Sequence, residues 1–169
     1  FEIAFFRCLI GLLLLLPVLL RSGIKSIYTK NIGNMALRSV FHTGGMLFYF
    51  LALTLMPLAE LSSLTFLAPL VITLLAVLLL GEKLGIRRIF SLIIGFSGAL
   101  IILRPGFEVI GIGAIYALAS VFSWAGAVII IKHLSRTNSS VTITIYGLFF
   151  LTIFTFLPAL FVWRWPTPD

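Results

Sequence analysis

Nine residues in apolar stretches of this sequence carry side chains able to hold a solute: Arg7, His42, Tyr49, Ser62, Thr65, Pro69, Tyr116, Ser120 and Trp124. Their types suit binding, not bond-breaking. Arg7 is the one strong charge well inside an apolar run. A bare Arg at a bilayer centre costs at least ~2.5 kcal/mol, so it must face protein or water. It either attracts an anionic or carboxylate-bearing solute or ties helices together. His42 aligns with Gly45, Tyr49 and Ala52 at helical steps, about a turn from the end of its segment. There it either relays a proton or reaches interfacial water.

Ser62, Thr65, Pro69 and Thr73 recur at steps of three and four, which puts them on one helix face. Pro69 frees a backbone carbonyl that needs a neighbouring helix or water. The face is either a cavity wall with a gating bend or a packing seam whose hydroxyls bond their own backbone. Gly113, Tyr116, Ser120, Ser123, Trp124 and Ala127 form a second such face. Tyr116 and Trp124 offer wide apolar surfaces with one donor each, suited to a flat or amphipathic solute. Aromatics at helix ends commonly anchor to the membrane interface, but Trp124 stands near mid-helix.

Other chemistries lack their parts. Gly95-Phe96-Ser97-Gly98 matches the Gly-x-Ser-Gly pattern of rhomboid-type proteases, and a nucleophilic serine needs a base within reach. The two histidines, His42 and His133, fall near the cytoplasmic edge, whereas Ser97 should lie deeper. No metal-ligand spacing and no phosphate-binding loop appear, so no cofactor, metal or ATP-driven step is expected. Cys8 is the only cysteine, read as a small buried hydrophobe. Glu60 is expected to cap the helix that follows it. Ser91, Gly95 and Ala99, four apart, are expected to form a helix-packing stripe.

The elements that must position these residues are spanning helices. Of 169 residues, 61% are hydrophobic and 10% charged, with mean hydropathy +1.22. A soluble domain carries roughly 25% charged residues. About six segments approach the ~20 apolar residues a span needs: Phe1–Leu20, Ser39–Met56, Leu61–Leu80, Ile86–Leu103, Ile112–Ile131 and Val141–Val162. Their continuous apolar runs exclude the alternation of a transmembrane barrel. The fold class is therefore all-α, a polytopic membrane helix bundle.

The net charge of +7 is not the footprint of a nucleic-acid binder, because the cations sit in gaps between apolar runs. Nine of the twelve Lys and Arg follow the first, third and fifth segments: Arg21, Lys25, Lys30, Arg38, Lys83, Arg87, Arg88, Lys132 and Arg136. Arg104 and Arg164 fall on the other side. That asymmetry puts the nine-cation side in the cytoplasm and both chain ends outside. The chain starts at Phe1 without Met and stops just after Pro166-Thr167-Pro168, so a fragment truncated at both ends is expected. A shift of 141 residues superposes Pro17 on Pro158 and Phe5 on Tyr146, on segments of opposite sense, as in inverted-repeat transporters.

Phe5-Phe6-Arg7, Met56-Pro57-Leu58-Ala59-Glu60, Phe66-Leu67-Ala68-Pro69-Leu70, Leu79-Leu80-Gly81-Glu82-Lys83, Gly95-Phe96-Ser97-Gly98-Ala99 and Arg104-Pro105-Gly106 follow one another in an order that resembles the EamA family of the drug/metabolite transporter superfamily. The stretch from Met56 to Gly106 is the most specific part. The resemblance implies a ten-helix inverted-repeat fold, of which this chain holds the second to seventh helices. Residues 1–106 would be most of the first repeat without its first helix, and 107–169 the beginning of a truncated second. It implies a secondary transporter moving a small polar metabolite or drug across the plasma membrane (the inner membrane in a bacterium) by alternating access. The partners expected are the lipid bilayer and a small-molecule solute, with a homodimer open to it and no nucleic acid. A non-transporting assembly or anchoring subunit is the other class considered, ahead of an intramembrane serine protease.

Overall fold

The computed structural model describes residues 2–22, 29–83, 85–103 and 111–161. Among the described residues seven helices run in chain order: α1 (Glu2–Ser22), α2 (Ile32–Leu55), α3 (Leu58–Thr65), α4 (Ala68–Leu80), α5 (Ile86–Leu103), α6 (Ile112–Leu134) and α7 (Ser140–Phe161). Among the described residues three stretches are long and apolar enough to cross a membrane: Ile32–Leu55, Leu58–Leu80 and Ile112–Leu134. Large apolar side chains face outward, as lipid as solvent permits: Leu14, Leu78, Ile94 and Ile101 are all exposed. The Arg104-Pro105-Gly106 terminator, the 106/107 boundary, Lys25, Arg164 and the Pro166–Pro168 turn lie outside the described residues.

Two elements differ from the hydropathy reading. The third segment is two helices, α3 and α4, joined by a tight turn at Phe66-Leu67. Pro69, in the first turn of α4, has no N–H to return to the Thr65 carbonyl, and its ring crowds that carbonyl. The chain responds by tightening: Leu67 N–H donates to Leu64 O and Leu70 N–H to Leu67 O, both at 3.0 Å, in three-residue steps. The second departure is the start of α2. It begins at Ile32, seven residues before Ser39, so Arg38 belongs to a helix and not to a loop.

The chain packs as two units, Phe1–Thr43 with Ile130–Asp169, and Gly44–Ile129. In the first, α1 and α7 lie antiparallel. The Phe5 and Phe156 rings are 5.3 Å apart, and Gly11 faces Leu148. Met35, Leu134 and Ile143 form a buried cluster. The entrance to α2 is fastened to the turn before α7 by polar side chains. Thr29 Oγ1 donates to Asn138 Oδ1 at 2.6 Å and accepts the Asn31 N–H at 3.0 Å, while Asn31 Nδ2 donates to Thr137 Oγ1 at 3.1 Å. Ser139 caps α7 by accepting the Thr142 N–H at 3.2 Å.

In the second unit, small residues let helices approach closely. Ala52, Leu61, Leu64 and Ala117 make one cluster, and Ala68, Val71, Val121 and Ala125 another. A Cβ on Gly45 would stand 3.2 Å from both the Ser120 carbonyl oxygen and the Trp124 backbone nitrogen, so the chain passes there backbone to backbone. Gly81 ends α4 in the left-handed conformation (φ 65°), which a side chain would oppose. Of the Ser91–Gly95–Ala99 stripe, Gly95 has nothing among the described residues within 4 Å of a Cβ built there. Glu60 sits in the first turn of α3, but Pro57 is the N-cap and no side chain bonds there. Its contribution is its charge near the helix start, not a hydrogen-bonded cap.

Candidate functional site

The first unit holds a half-open cavity of about 260 Å³ lined by Arg7 and Cys8 of α1, Arg38 and His42 of α2, and Thr144, Leu148 and Leu151 of α7. Helix geometry brings these together. Arg38 and His42 are four residues apart, one above the other on α2, and Thr144, Leu148 and Leu151 follow steps of four and three on α7. The α1–α7 pairing sets Arg7 and Cys8 opposite that face.

His42 stands ten residues into α2, about 15 Å from its start at 1.5 Å per residue. It is thus near mid-helix, not one turn from the end as the apolar run suggested. Arg38 is the functional candidate that sequence reasoning missed. It had been counted among loop cations, although one further backward step along the His42–Gly45–Tyr49–Ala52 face reaches it.

Electrostatically the cavity is one-sided. Two guanidinium groups and an imidazole line it, and among the described residues no acid does. Arg38 Nε and Nη1 are buried, with no hydrogen-bond partner among the described residues. The Arg38 guanidinium lies over Gly147, in the space a side chain there would fill. A buried donor left unmatched costs about 1–3 kcal/mol, more when charged. Such an arrangement calls for a negatively polarised partner. Ser39 below it is already engaged, donating to the Met35 carbonyl at 3.0 Å.

The other seven sequence candidates belong to the second unit. Tyr49 and Tyr116 pack against the Ala52–Leu61 cluster, and Tyr116 stacks on Phe48 with centroids 6.2 Å apart. Ser62 and Thr65 are half-buried on α3, the Thr65 hydroxyl donating to the Ser62 carbonyl at 2.7 Å. Thr73 donates to the Pro69 carbonyl and Ser120 to the Ala117 carbonyl, each at 2.7 Å. Pro69 and Trp124 are exposed. Ser120 and Trp124 also supply the backbone that Gly45 approaches. Ser97 is exposed on α5, in a unit that contains no histidine.

Comparison with known proteins fits this architecture. The sequence profile of the EamA-like transporter family matches residues 1–104. A riboflavin transporter of Brucella anthropi is 31% identical over 89% of this chain and 53% of its own length. A pseudopaline exporter of Pseudomonas aeruginosa is 29% identical over 96% of this chain and 56% of its own. An S-adenosylmethionine uptake transporter of Rickettsia bellii is 28% identical over 99% and 57%. The chain thus spans about half the length of these curated relatives. A solved crystal structure shares the fold with a TM-score of 0.74 at 21% identity, over 98% of this chain and 59% of that one.

Proposed function

Since this chain belongs to the EamA-like transporter family, we propose that the whole protein is a secondary transporter that carries a small polar metabolite across the plasma membrane by alternating access. The observation that carries this reading is the cation-lined cavity set among membrane helices. Ionisable groups in such helices are costly and mark solute pathways. The names of the relatives, which move three different metabolites, support the same class of work. Inverted repeats rocking about a site near the midplane supply the mechanism, with residues 1–106 and 107–169 as parts of the two repeats. The α3–α4 turn at Phe66-Leu67, where Pro69 removes one helical hydrogen bond, gives that segment a place to bend.

In this scheme Arg7 and His42 contact solute in the first unit. Tyr49, Ser62, Thr65, Pro69, Tyr116, Ser120 and Trp124 wall the path in the second. The hydroxyls already bonded to their own carbonyls retain free lone pairs and can still accept from a passing solute. Counterflow into proteoliposomes holding the whole protein tests the reading, using labelled riboflavin, S-adenosylmethionine and a panel of organic acids. Saturable exchange of at least one solute above empty vesicles is expected. No exchange across the panel, with protein verified as folded, would favour a non-transporting membrane subunit.

A further inference from the structure

We propose that the cavity between α1, α2 and α7 is a binding site for an anionic group, a carboxylate or phosphate, held by Arg38 with Arg7 and His42 beside it. As the substrate class of the proposed transporter the anion rests on the preceding reading; as a binding site it does not.

Three observations converge. The lining is cationic on two separate helices, and none of its described residues is an acid. The Arg38 guanidinium keeps its charge at any accessible pH and cannot escape the burden by losing a proton. Its Nε and Nη1 are nonetheless buried without a hydrogen-bond partner among the described residues. Gly147 makes the room: any side chain there would collide with the guanidinium, so α7 seats the Arg38 head instead of excluding it.

A structural tie would look different, with the guanidinium matched to helix-end carbonyls or a carboxylate. Here Leu148 and Leu151 supply an apolar floor and Thr144 a hydroxyl, the mixture expected where a small organic anion presents one charged end and a carbon skeleton. An oxyanion accepts charge-assisted hydrogen bonds from guanidinium and imidazole N–H groups, which are the donors this cavity offers. A free solute and a lipid headgroup carry the same chemistry.

The test is isothermal titration of the whole protein in phosphatidylcholine nanodiscs with succinate, inorganic phosphate and the uncharged succinamide. Saturable binding of at least one anion and none of succinamide is expected. Arg38→Gln should weaken binding tenfold or more, and Arg38→Lys, which keeps the charge, should weaken it less. Gly147→Ala should also weaken binding while removing no charge, and it carries the test if Arg38→Gln fails to fold. Ser91→Ala on α5 is the unaffected control. Phosphatidylglycerol in the disc separates the sources: competition assigns the anion to a lipid headgroup, no competition to a free solute, and either leaves the site standing. Absence of anion binding, equal binding of succinamide, or unchanged binding in both Arg38→Gln and Gly147→Ala would overturn it. Anion binding without transport would sink the transporter reading alone, and transport without anion binding would sink the site alone.

Discussion

The two units treat their hydroxyls alike, as Ser39, Thr152 and Thr155 show in the first, and differ in the buried Arg38 guanidinium that the first unit adds. In the Gly44–Ile129 unit, Ser63, Thr65, Thr73 and Ser120 each donate to a carbonyl three or four residues back, at 2.7–2.8 Å. In the unit that joins α1 and α7, Arg38 holds two buried donors without a partner among the described residues, beside a cavity that Arg7 and His42 also line. The first arrangement is complete in itself, as a membrane helix requires when no water is near. The second leaves donors for the anion proposed above. Polar residues in spanning helices therefore do not all report the same thing: residue type flags a candidate, and the fate of its hydrogen bonds separates packing from recognition.

The sharpest way to break this contrast is Arg38→Gln. Charge-assisted hydrogen bonds contribute about 1.5–3 kcal/mol, so transport of an anionic solute should fall roughly 10- to 100-fold. Melting temperature should hold or rise, because an unmatched buried charge is removed. Next is Gly45→Val, which forces a side chain between backbones now 3.2 Å from its Cβ position. Overpacking of this kind costs about 1–3 kcal/mol, and thermal denaturation in detergent should show a clear loss of stability whatever solute is present.

A smaller effect is expected of Pro69→Ala. It restores the N–H that could reach the Thr65 carbonyl and fuse α3 to α4. Amide exchange at Phe66 and Leu67 should slow, and transport should drop a few-fold if that bend takes part in the cycle. Smallest is Thr73→Val, since an own-helix hydroxyl bond contributes about 1 kcal/mol or less net. Stability should change little. A transport loss larger than that of Arg38→Gln would reverse the comparison.

The sequence was a good guide wherever hydrophobicity alone decides. The all-helical membrane architecture, the helices around Tyr116–Trp124 and the Gly81 stop were all readable, because a long apolar run has one stable form in lipid. The bend at Pro69 was readable as a freed carbonyl, though not as two helices. What hydropathy hid was the start of α2. An unbroken apolar run fails at Gly33, Asn34 and Arg38, so Ile32–Arg38 looked like loop, and Arg38 was lost from the site with it. The lining of α7 was hidden for another reason: Thr144, Leu148 and Leu151 are ordinary residues for a membrane helix, and only the antiparallel pairing with α1 turns them toward Arg7. Small-residue spacing such as Ser91–Gly95–Ala99 permits close packing without requiring it, and Gly95 meets no neighbour among the described residues.

The most direct test of the central claim, that the α1–α2–α7 cavity is the solute site of a transporter, is counterflow in proteoliposomes comparing the whole wild-type protein with Arg38→Gln at equal reconstituted amounts. The account expects saturable exchange of an anionic solute by the wild type and at least a tenfold loss in the variant, with the protein still folded. Equal exchange by both would contradict it and move the search for the solute site away from this cavity.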